Sequence, residues 1–230
     1  MKNSSEYGLR LKRLCNRVRR SGGAATATKP QSVINELVLA CLSAHTTETK
    51  ARTALNKLRH DFVDFNEMRV SRPDEITEVL AKNFRQGKDV SKQIVLLLKE
   101  VFDRQDTLDL ENLREIGKRD ARVFFESLEH TTDYVVARVM LRALEAHAFP
   151  VHEQMLVMLR SEEVVDEAAD ATEVQGFMER QISAKTVHKT YLLLRRHADS
   201  FKVPRTAKAK TDKKTVKTSR KKTKSTSKEK

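Results

Sequence analysis

The chain has 230 residues, which is enough for one ordinary domain with appendages or for two small domains. It carries 45 lysines and arginines against 32 aspartates and glutamates, but the surplus lies at the two ends. Residues 1–30 have 8 basic and 1 acidic side chain, residues 205–230 have 12 and 2, and residues 31–204 have 25 and 29. This distribution excludes a uniformly basic domain and indicates flanks that bind a polyanion.

Cysteine usage excludes two kinds of metal centre. Cys15 and Cys41 are the only cysteines, and neither belongs to a CxxC or Cys/His cluster, so the ligand sets of a structural zinc and of an iron–sulfur cluster are missing. No cofactor is therefore expected. Two thiols fit a reducing compartment, and no run of residues is long and apolar enough for a signal-peptide core or a membrane span. We expect a cytoplasmic protein with no membrane partner, associated with the nucleoid if the source is bacterial.

Apolar residues recur at helical spacing through the middle of the chain. The first stripe consists of Ile34, Leu37, Val38, Cys41 and Leu42. A polar turn at Thr46 and Thr47 separates it from the next stripe, which lies within 55–62. Further stripes lie within 76–80, 94–102, 123–128, 135–144, 155–165 and 187–194. No Asn-Gly or Asp-Gly turn joins two alternating runs, so the pattern predicts an all-α domain of roughly eight to ten short helices.

Composition divides the chain into three parts. Residues 1–30 are predicted to form a basic N-terminal arm, and residues 31–204 a helical domain. Residues 205–230 consist mostly of lysine, threonine and serine and cannot bury enough apolar surface to offset their chain entropy, which predicts a disordered tail. Nucleic-acid phosphates are the expected partners of its cations, which include Lys213, Lys214, Arg220, Lys221 and Lys222.

The segment "LVLACLSAHTTE" (37–48) resembles the helix and turn that begin the core of the helix-hairpin-helix DNA glycosylase superfamily, in its endonuclease III branch. Members of that branch read L-L-S-A-Q-T-T-D, and His45 takes the place of the glutamine. The resemblance implies that His45, together with Thr46 and Thr47, contacts DNA. In the family, the glutamine enters the base stack beside the vacated base.

The resemblance continues in the family's order along the chain. "FRQGKDVSKQIVLLLKEV" (84–101) is similar to the segment in which a glycine-containing loop precedes a Ser-Lys helix start, with Lys92 as the lysine. "LEHTTDYVVARVML" (128–141) lies where the family has its hairpin, and "PVHEQMLVML" (150–159) where it has its V-D motif. The resemblance implies a glycosylase-like helical domain that binds DNA.

The sequence departs from the family at its functional positions. His130 and Thr132, on either side of Thr131, replace the two hairpin glycines that let backbone N–H groups approach a DNA phosphate. Tyr134 replaces the nucleophilic lysine, and a phenol cannot form a Schiff base. His152 replaces the aspartate whose negative charge stabilises the cationic sugar of the transition state.

Each of these side chains also has a purely structural interpretation. His45 is then a surface residue bonded to water. Tyr134 is a packing residue with its hydroxyl at the edge of the core, beside Val135 and Val136. His152 belongs to a helix N-terminus whose polar groups satisfy backbone donors.

Three functions of different classes follow from these residues. The first, which we favour, is a DNA-binding protein that recognises damaged or distorted duplex with reduced or lost catalysis. The second is an active DNA N-glycosylase/AP lyase with relocated groups, namely Glu153 or Asp133 as carboxylate and Lys118 or Lys185 as amine. The third is a helical interaction module without a DNA function. DNA bound mainly through its phosphates is the expected partner of a monomeric protein, although RNA also fits the basic flanks.

Overall fold

The structure, a computed structural model, describes residues 4–21, 31–80, 84 and 86–202. Within these residues it has eleven α-helices, one 3-10 helix (Glu111–Arg114) and no strand. The α-helices are α1 (Ser4–Ser21), α2 (Val33–Ser43), α3 (Glu48–Asp61), α4 (Phe65–Val70), α5 (Pro73–Leu80), α6 (Gly87–Gln105), α7 (Lys118–Glu126), α8 (Asp133–Arg142), α9 (Glu153–Ser161), α10 (Ala171–Gln181) and α11 (Val187–Ser200). The predicted all-α fold is confirmed. None of the helices in the described ranges has the length and apolar character to cross a membrane.

Helix α2 forms the centre of the core. It packs against α3, α6 and α8, and every one of its residues except Asn35 is buried. Around it, α6 packs against α4 and α5, α7 against α8, and α11 against both α1 and α9. Because α2 is buried on all sides and ends at Ser43, the turn that follows leaves the core from a rigid support.

Helix α1 belongs to this core even though it lies in the predicted basic arm. Leu11, Leu14 and Val18 are buried on its inner face, and the helix packs against α11. Gly8 allows a close approach, since a Cβ atom at this position would lie 2.5 Å from Oε1 of Gln181. The three apolar residues form a narrow stripe at i, i+3 and i+7, which is enough to dock a helix whose other faces are polar.

Side-chain caps determine where several helices begin. Four N-cap side chains accept a backbone N–H from the first turn of their helix, those of Thr47, Asp64, Thr132 and Asp170. Two of these caps matter for the site, because Thr47 begins α3 directly after the predicted DNA-contacting turn and Thr132 begins α8 directly after the predicted hairpin.

Candidate functional site

A buried arginine donates hydrogen bonds to the backbone of the turn between α2 and α3. Arg195 on α11 is 2% exposed. It donates from Nη2 to the carbonyl oxygens of Ser43, at 3.0 Å, and of Thr46, at 2.5 Å. Thr47 caps α3 by accepting a backbone N–H through Oγ1 at 3.4 Å. His45 lies at the exposed tip. The polar turn predicted at Thr46 and Thr47 is present, and both of its ends are fixed.

Tyr134 lies in the first turn of α8 with its hydroxyl inside a buried hydrogen-bond network. Ser43 Oγ donates to the carbonyl of Ala40 at 3.1 Å, so the Tyr134 hydroxyl donates to Ser43 Oγ at 2.9 Å. The same hydroxyl accepts from Nη1 of Arg195 at 2.8 Å and from Nη1 of Arg138 at 3.5 Å. The hydroxyl is therefore not at the edge of the core, as the structural interpretation had it, because its hydrogen bonds to the two guanidinium groups are buried.

Arg138 links α8 to α2 and α3 through two carboxylates. Its side chain is fully buried, with Nε 2.8 Å from Oε1 of Glu36 and Nη1 2.8 Å from Oε2 of Glu48. It also donates to the hydroxyl of Tyr191 at 3.1 Å. Burial by itself raises the pKa of Glu48, but Arg138 and Arg52 outweigh it and lower that pKa to about 2. Glu48 is therefore ionised at physiological pH and serves the core.

His152 is the N-cap residue of α9 and is 5% exposed. Its side chain caps no backbone N–H, and Nε2 lies 3.9 Å from Oδ1 of Asp199. Its ring centroid lies 5.9 Å from that of Tyr134, so the structure brings these two predicted site residues together. Burial, followed by the charges of Arg195 and Arg138, lowers the pKa of His152 to about 2. The imidazole is therefore neutral at physiological pH.

A pocket of about 330 Å³ lies between the turn and the start of α9. His45, Thr46 and Thr47 form one wall, and His152 and Glu153 form the other. The pocket is therefore built from segments far apart in the sequence, which the packing of α3 and α9 against α11 and the hydrogen bond from Arg195 to Ser43 bring together.

Asp199 and Lys50 also line this pocket. Oδ2 of Asp199 accepts the backbone N–H of Glu48 at 2.8 Å, and Oδ1 lies 3.0 Å from Nε of Arg195. Burial raises the pKa of Asp199, and Arg195 opposes this change. Lys50 is exposed in the first turn of α3. The pocket thus contains an amine and carboxylates beside the neutral imidazole.

Solved structures of DNA glycosylases superpose on this chain. Endonuclease III in a non-covalent complex with DNA aligns over 85% of this chain and 85% of its own, with a TM-score of 0.65 and 12% identity. An 8-oxoguanine glycosylase/lyase from Clostridium acetobutylicum, in complex with double-stranded DNA, aligns over 86% of this chain and 70% of its own, with a TM-score of 0.65 and 13% identity. A thermostable thymine-DNA glycosylase aligns over 89% of both chains, with a TM-score of 0.58 and 16% identity. This chain has the helix-hairpin-helix DNA glycosylase fold.

The similarity is one of fold. Neither a protein-family model nor a curated protein matches the sequence. At 12–16% identity, the superpositions establish the glycosylase fold alone, because one fold can carry different activities. The fold implied by the resemblance at residues 37–48 is confirmed.

The hairpin of this glycosylase fold, between α7 and α8, is built without left-handed residues. Among the described positions, φ is positive at Gln86, Asp106, Glu145 and Glu163, none of which lies in the hairpin. Thr132, which the resemblance assigns to a glycine position of the family, is extended at φ −130° and caps α8. A β-branched residue disfavours positive φ, and the chain avoids this cost by extending into a capping conformation.

Internal hydrogen bonds occupy the rest of the hairpin. Thr131 Oγ1 donates to the carbonyls of Phe125, at 3.0 Å, and Leu128, at 2.9 Å. The carbonyl of His130 accepts from Nε2 of Gln93 on α6 at 2.9 Å. Lys92 is exposed next to Gln93. The hydrogen bond from Gln93 therefore places Lys92 of α6 and the predicted DNA-contacting residues of the hairpin in one region of the glycosylase fold.

The relocated groups considered for catalysis lie in different places. Glu153 lines the pocket. Asp133 instead accepts a hydroxyl hydrogen bond from α10 at 2.8 Å. Lys118 donates to the backbone carbonyl of Leu144, and Lys185 is exposed between α10 and α11. The tail residues Lys213, Lys214, Arg220, Lys221 and Lys222 lie outside the described residues.

Arg195, Asp199 and Lys50 are the site residues that sequence reasoning missed. Arg195 and Asp199 are separated by one turn of α11 and form an i, i+4 ion pair, which is visible in "RRHADS" but is typical of any solvated helix face. Because about 150 residues separate them from the turn, the sequence does not indicate that they bind its backbone. Lys50 lies three residues after Thr47, so its place near the turn was the one available signal.

Lowering the pH from 7 to 5 is expected to destabilise the protein through His152. The pKa of this imidazole is about 2 in the folded protein against an ordinary 6.5, so below pH 6.5 the unfolded state binds a proton that the folded state excludes. The effect is absent above pH 6.5 and grows as the pH falls, reaching about 2 kcal/mol at pH 5 from about 1.4 kcal/mol per pH unit. Urea unfolding of H152Q between pH 7 and 5 should lack this contribution.

His60→Gln is the matched control, because the side chain of His60 is 86% exposed. Its pH dependence should follow that of the unchanged protein. Parallel curves for H152Q and the unchanged protein would contradict a buried, neutral His152.

Proposed function

We propose that this protein binds duplex DNA and recognises damaged or distorted sites with the His45 turn, and that glycosylase/lyase chemistry at Tyr134 and His152 is reduced or lost. The observation that carries this proposal is the pair of residues beside the pocket. One is a phenol whose hydroxyl is fully engaged, and the other is a neutral imidazole.

The fold supports DNA as the partner. Endonuclease III and the Clostridium acetobutylicum 8-oxoguanine glycosylase/lyase were both solved in complexes with DNA, and each superposes on about 85% of this chain. The basic tail adds affinity that depends on salt, because cations released from DNA phosphates contribute to binding. Binding is mainly to the phosphate backbone, and the protein acts as a monomer in the cytoplasm, at the nucleoid if the source is bacterial.

The geometry of the turn suits recognition of a distorted duplex. Arg195 holds the backbone on both sides of His45, and the α3 N-terminus is fixed by Thr47 and by Asp199. A side chain that enters a base stack must displace neighbouring bases, which requires a support that does not yield. His45 presents a planar, polar ring at the tip of such a support and beside the pocket.

The residues that replace the family's catalytic pair support reduced chemistry. Tyr134 offers no amine for a Schiff base, and its hydroxyl already donates to Ser43 and accepts from two arginines. His152 supplies no negative charge for a cationic sugar, and Arg195 and Arg138 create a field there that disfavours a positive charge. The hairpin differs too, because Asp133 places a carboxylate in the first turn of α8, where a phosphate would otherwise bind.

His45→Ala is expected to lower the preference for a duplex with an abasic site over an intact duplex by roughly tenfold, on the scale of about 1–3 kcal/mol measured for base–aromatic stacking. Affinity for intact duplex and the urea midpoint should change little, because His45 is exposed. Fluorescence anisotropy with both duplexes, at one stated salt concentration, measures the ratio.

His60→Ala removes another exposed histidine, at the opposite end of α3, and should keep the full preference. An unchanged ratio in H45A would contradict the role of the turn. A full chain that binds neither duplex would instead support the interaction module.

An active enzyme with relocated groups is the second candidate, and the contents of the pocket favour it. Lys50 supplies an amine and Asp199 and Glu153 supply carboxylates at the same pocket. Borohydride treatment of the full chain with an abasic-site duplex separates the candidates. A trapped adduct on Lys50 would support the enzyme, whereas tight binding without adduct or strand cleavage supports the reader of damaged DNA.

A further inference from the structure

Helix α1 has an unusual concentration of positive charge for a helix that packs on the core. Its 18 residues contain 6 basic side chains and 1 acidic side chain, Glu6. The basic residues are Arg10, Lys12, Arg13, Arg17, Arg19 and Arg20. The apolar stripe of Leu11, Leu14 and Val18 faces the protein, so the basic residues occupy the outer faces.

Two of the six arginines and lysines anchor the helix. Nη1 of Arg10 lies 3.0 Å from a carboxylate oxygen of Glu163, and Arg17 pairs with Glu162. Both glutamates follow the C-terminal end of α9. The apolar stripe and these ion pairs together fix the orientation of α1 on the domain.

The other four cations, Lys12, Arg13, Arg19 and Arg20, are exposed and form no ion pair with a described residue. Lys12 and Arg19 are seven residues apart, as are Arg13 and Arg20, so each pair lies on one face of the helix. Basic residues in the last turn interact favourably with the helix dipole, which accounts for Arg19 and Arg20. It does not account for Lys12 and Arg13 in the middle of the helix, and Arg13 lies four residues before Arg17, a spacing at which like charges destabilise a helix.

An open depression of about 600 Å³ lies along this helix, and Arg13, Asn16, Arg17 and Arg20 line it. Guanidinium groups donate two parallel hydrogen bonds to phosphate oxygens. Arg13 and Arg20 are seven residues apart, or about 10 Å along the axis. One DNA strand carries a phosphate about every 3.4 Å of duplex axis, so this distance spans about three phosphates.

We propose that Lys12, Arg13, Arg19 and Arg20 form a second DNA-binding surface. This surface binds backbone phosphates of the duplex at a point distant from the His45 turn. The inference rests on the proposed function and assigns to α1 a contact that the pocket does not make. Helix α9 runs from His152 at the pocket to Glu162, the partner of Arg17, a rise of about 15 Å along its axis, so the pocket and α1 lie at opposite ends of α9. A surface at that distance contacts undamaged DNA, so it contributes affinity without selecting the lesion.

The triple variant R13Q/R19Q/R20Q tests this surface in the full chain. Each lost phosphate contact should reduce the slope of log K against log salt concentration by about 0.9, so the expected reduction is about 3. Affinity should fall by the same factor for intact and abasic-site duplex, leaving the preference unchanged. K57Q/R59Q/K99Q is the matched control, because it removes the same charge from exposed positions on α3 and α6 and should change the slope by less than about 1.

A slope and affinity equal to those of the control would overturn this inference and leave the proposed function intact. Loss of the lesion preference in the triple variant would also overturn it, because a surface remote from the pocket cannot select the lesion. Absence of duplex binding by the unchanged chain would overturn the proposed function itself. Equal urea midpoints of the two variants would show that folding is preserved.

Discussion

The variant Y134K/H152D is expected to form a covalent adduct with an abasic-site duplex that borohydride traps, whereas the unchanged protein forms none. The tyrosine hydroxyl lies 2.8 Å from Nη1 of Arg195 and 3.5 Å from Nη1 of Arg138. An amine introduced there would lose part of its proton affinity, because burial and two neighbouring cations both disfavour the ammonium form. A neutral amine beside the pocket is the species that attacks the sugar C1′.

The new carboxylate at position 152 completes this arrangement. His152 already lies beside Asp199 at 3.9 Å, and Arg195 is close enough to offset the added negative charge. Without this carboxylate, Y134K alone should react about a hundredfold more slowly, at the lower end of what a positioned acid or base contributes. Single-turnover trapping with both variants measures the difference.

D133K/H152D is the control for the position of the amine. Asp133 is the neighbour of Tyr134 but points towards α10, so a lysine there should give no adduct. A folded Y134K/H152D that also gives no adduct would contradict the assignment of Tyr134 and His152 to the family's two catalytic positions. Circular dichroism and urea unfolding establish folding in each case.

Arg138→Met is expected to lower the free energy of unfolding by about 3–5 kcal/mol. The substitution leaves the buried Glu36 and the partly buried Glu48 without their shared partner, at a point where α2, α3 and α8 meet. Methionine has a similar length and refills the apolar part of the site, so the loss reports on the carboxylates that Arg138 no longer neutralises, although Glu48 keeps its pair with Arg52. Urea unfolding at pH 7 measures it.

The loss should shrink in acid. Arg138, with Arg52, holds the pKa of Glu48 at about 2 against an ordinary 4.5, so the stability from this ion pair is complete above pH 4.5 and is lost as the pH falls towards 2. Arg122→Met is the matched control, because Arg122 forms a 3.5 Å pair with Glu126 at the surface and should change stability by less than about 1 kcal/mol. A loss for R138M as small as that would contradict a central role for Arg138.

Local sequence was enough to predict eight of the eleven described helices and the main turn, and α1, α4 and α10 were not predicted. The stripe at Ile34, Leu37, Val38, Cys41 and Leu42 became α2, and the turn before α3 lies at Thr46 and Thr47 as predicted. Periodicity works here because a helix face is determined by residues within two turns of one another. Helix α1 was missed because its three apolar residues are outnumbered by six cations, and only docking against α11 makes so narrow a stripe sufficient.

The sequence by itself determined the all-α fold class, the basic flanks and, through motif order, the glycosylase-like core. The tertiary structure decided the chemical state of the site. Arg195 and Asp199 reach the His45 turn from about 150 residues away, and no local pattern encodes a contact of that range. Whether His152 is neutral and the Tyr134 hydroxyl is engaged depends on burial and on neighbouring charges, and these arise only when the helices pack.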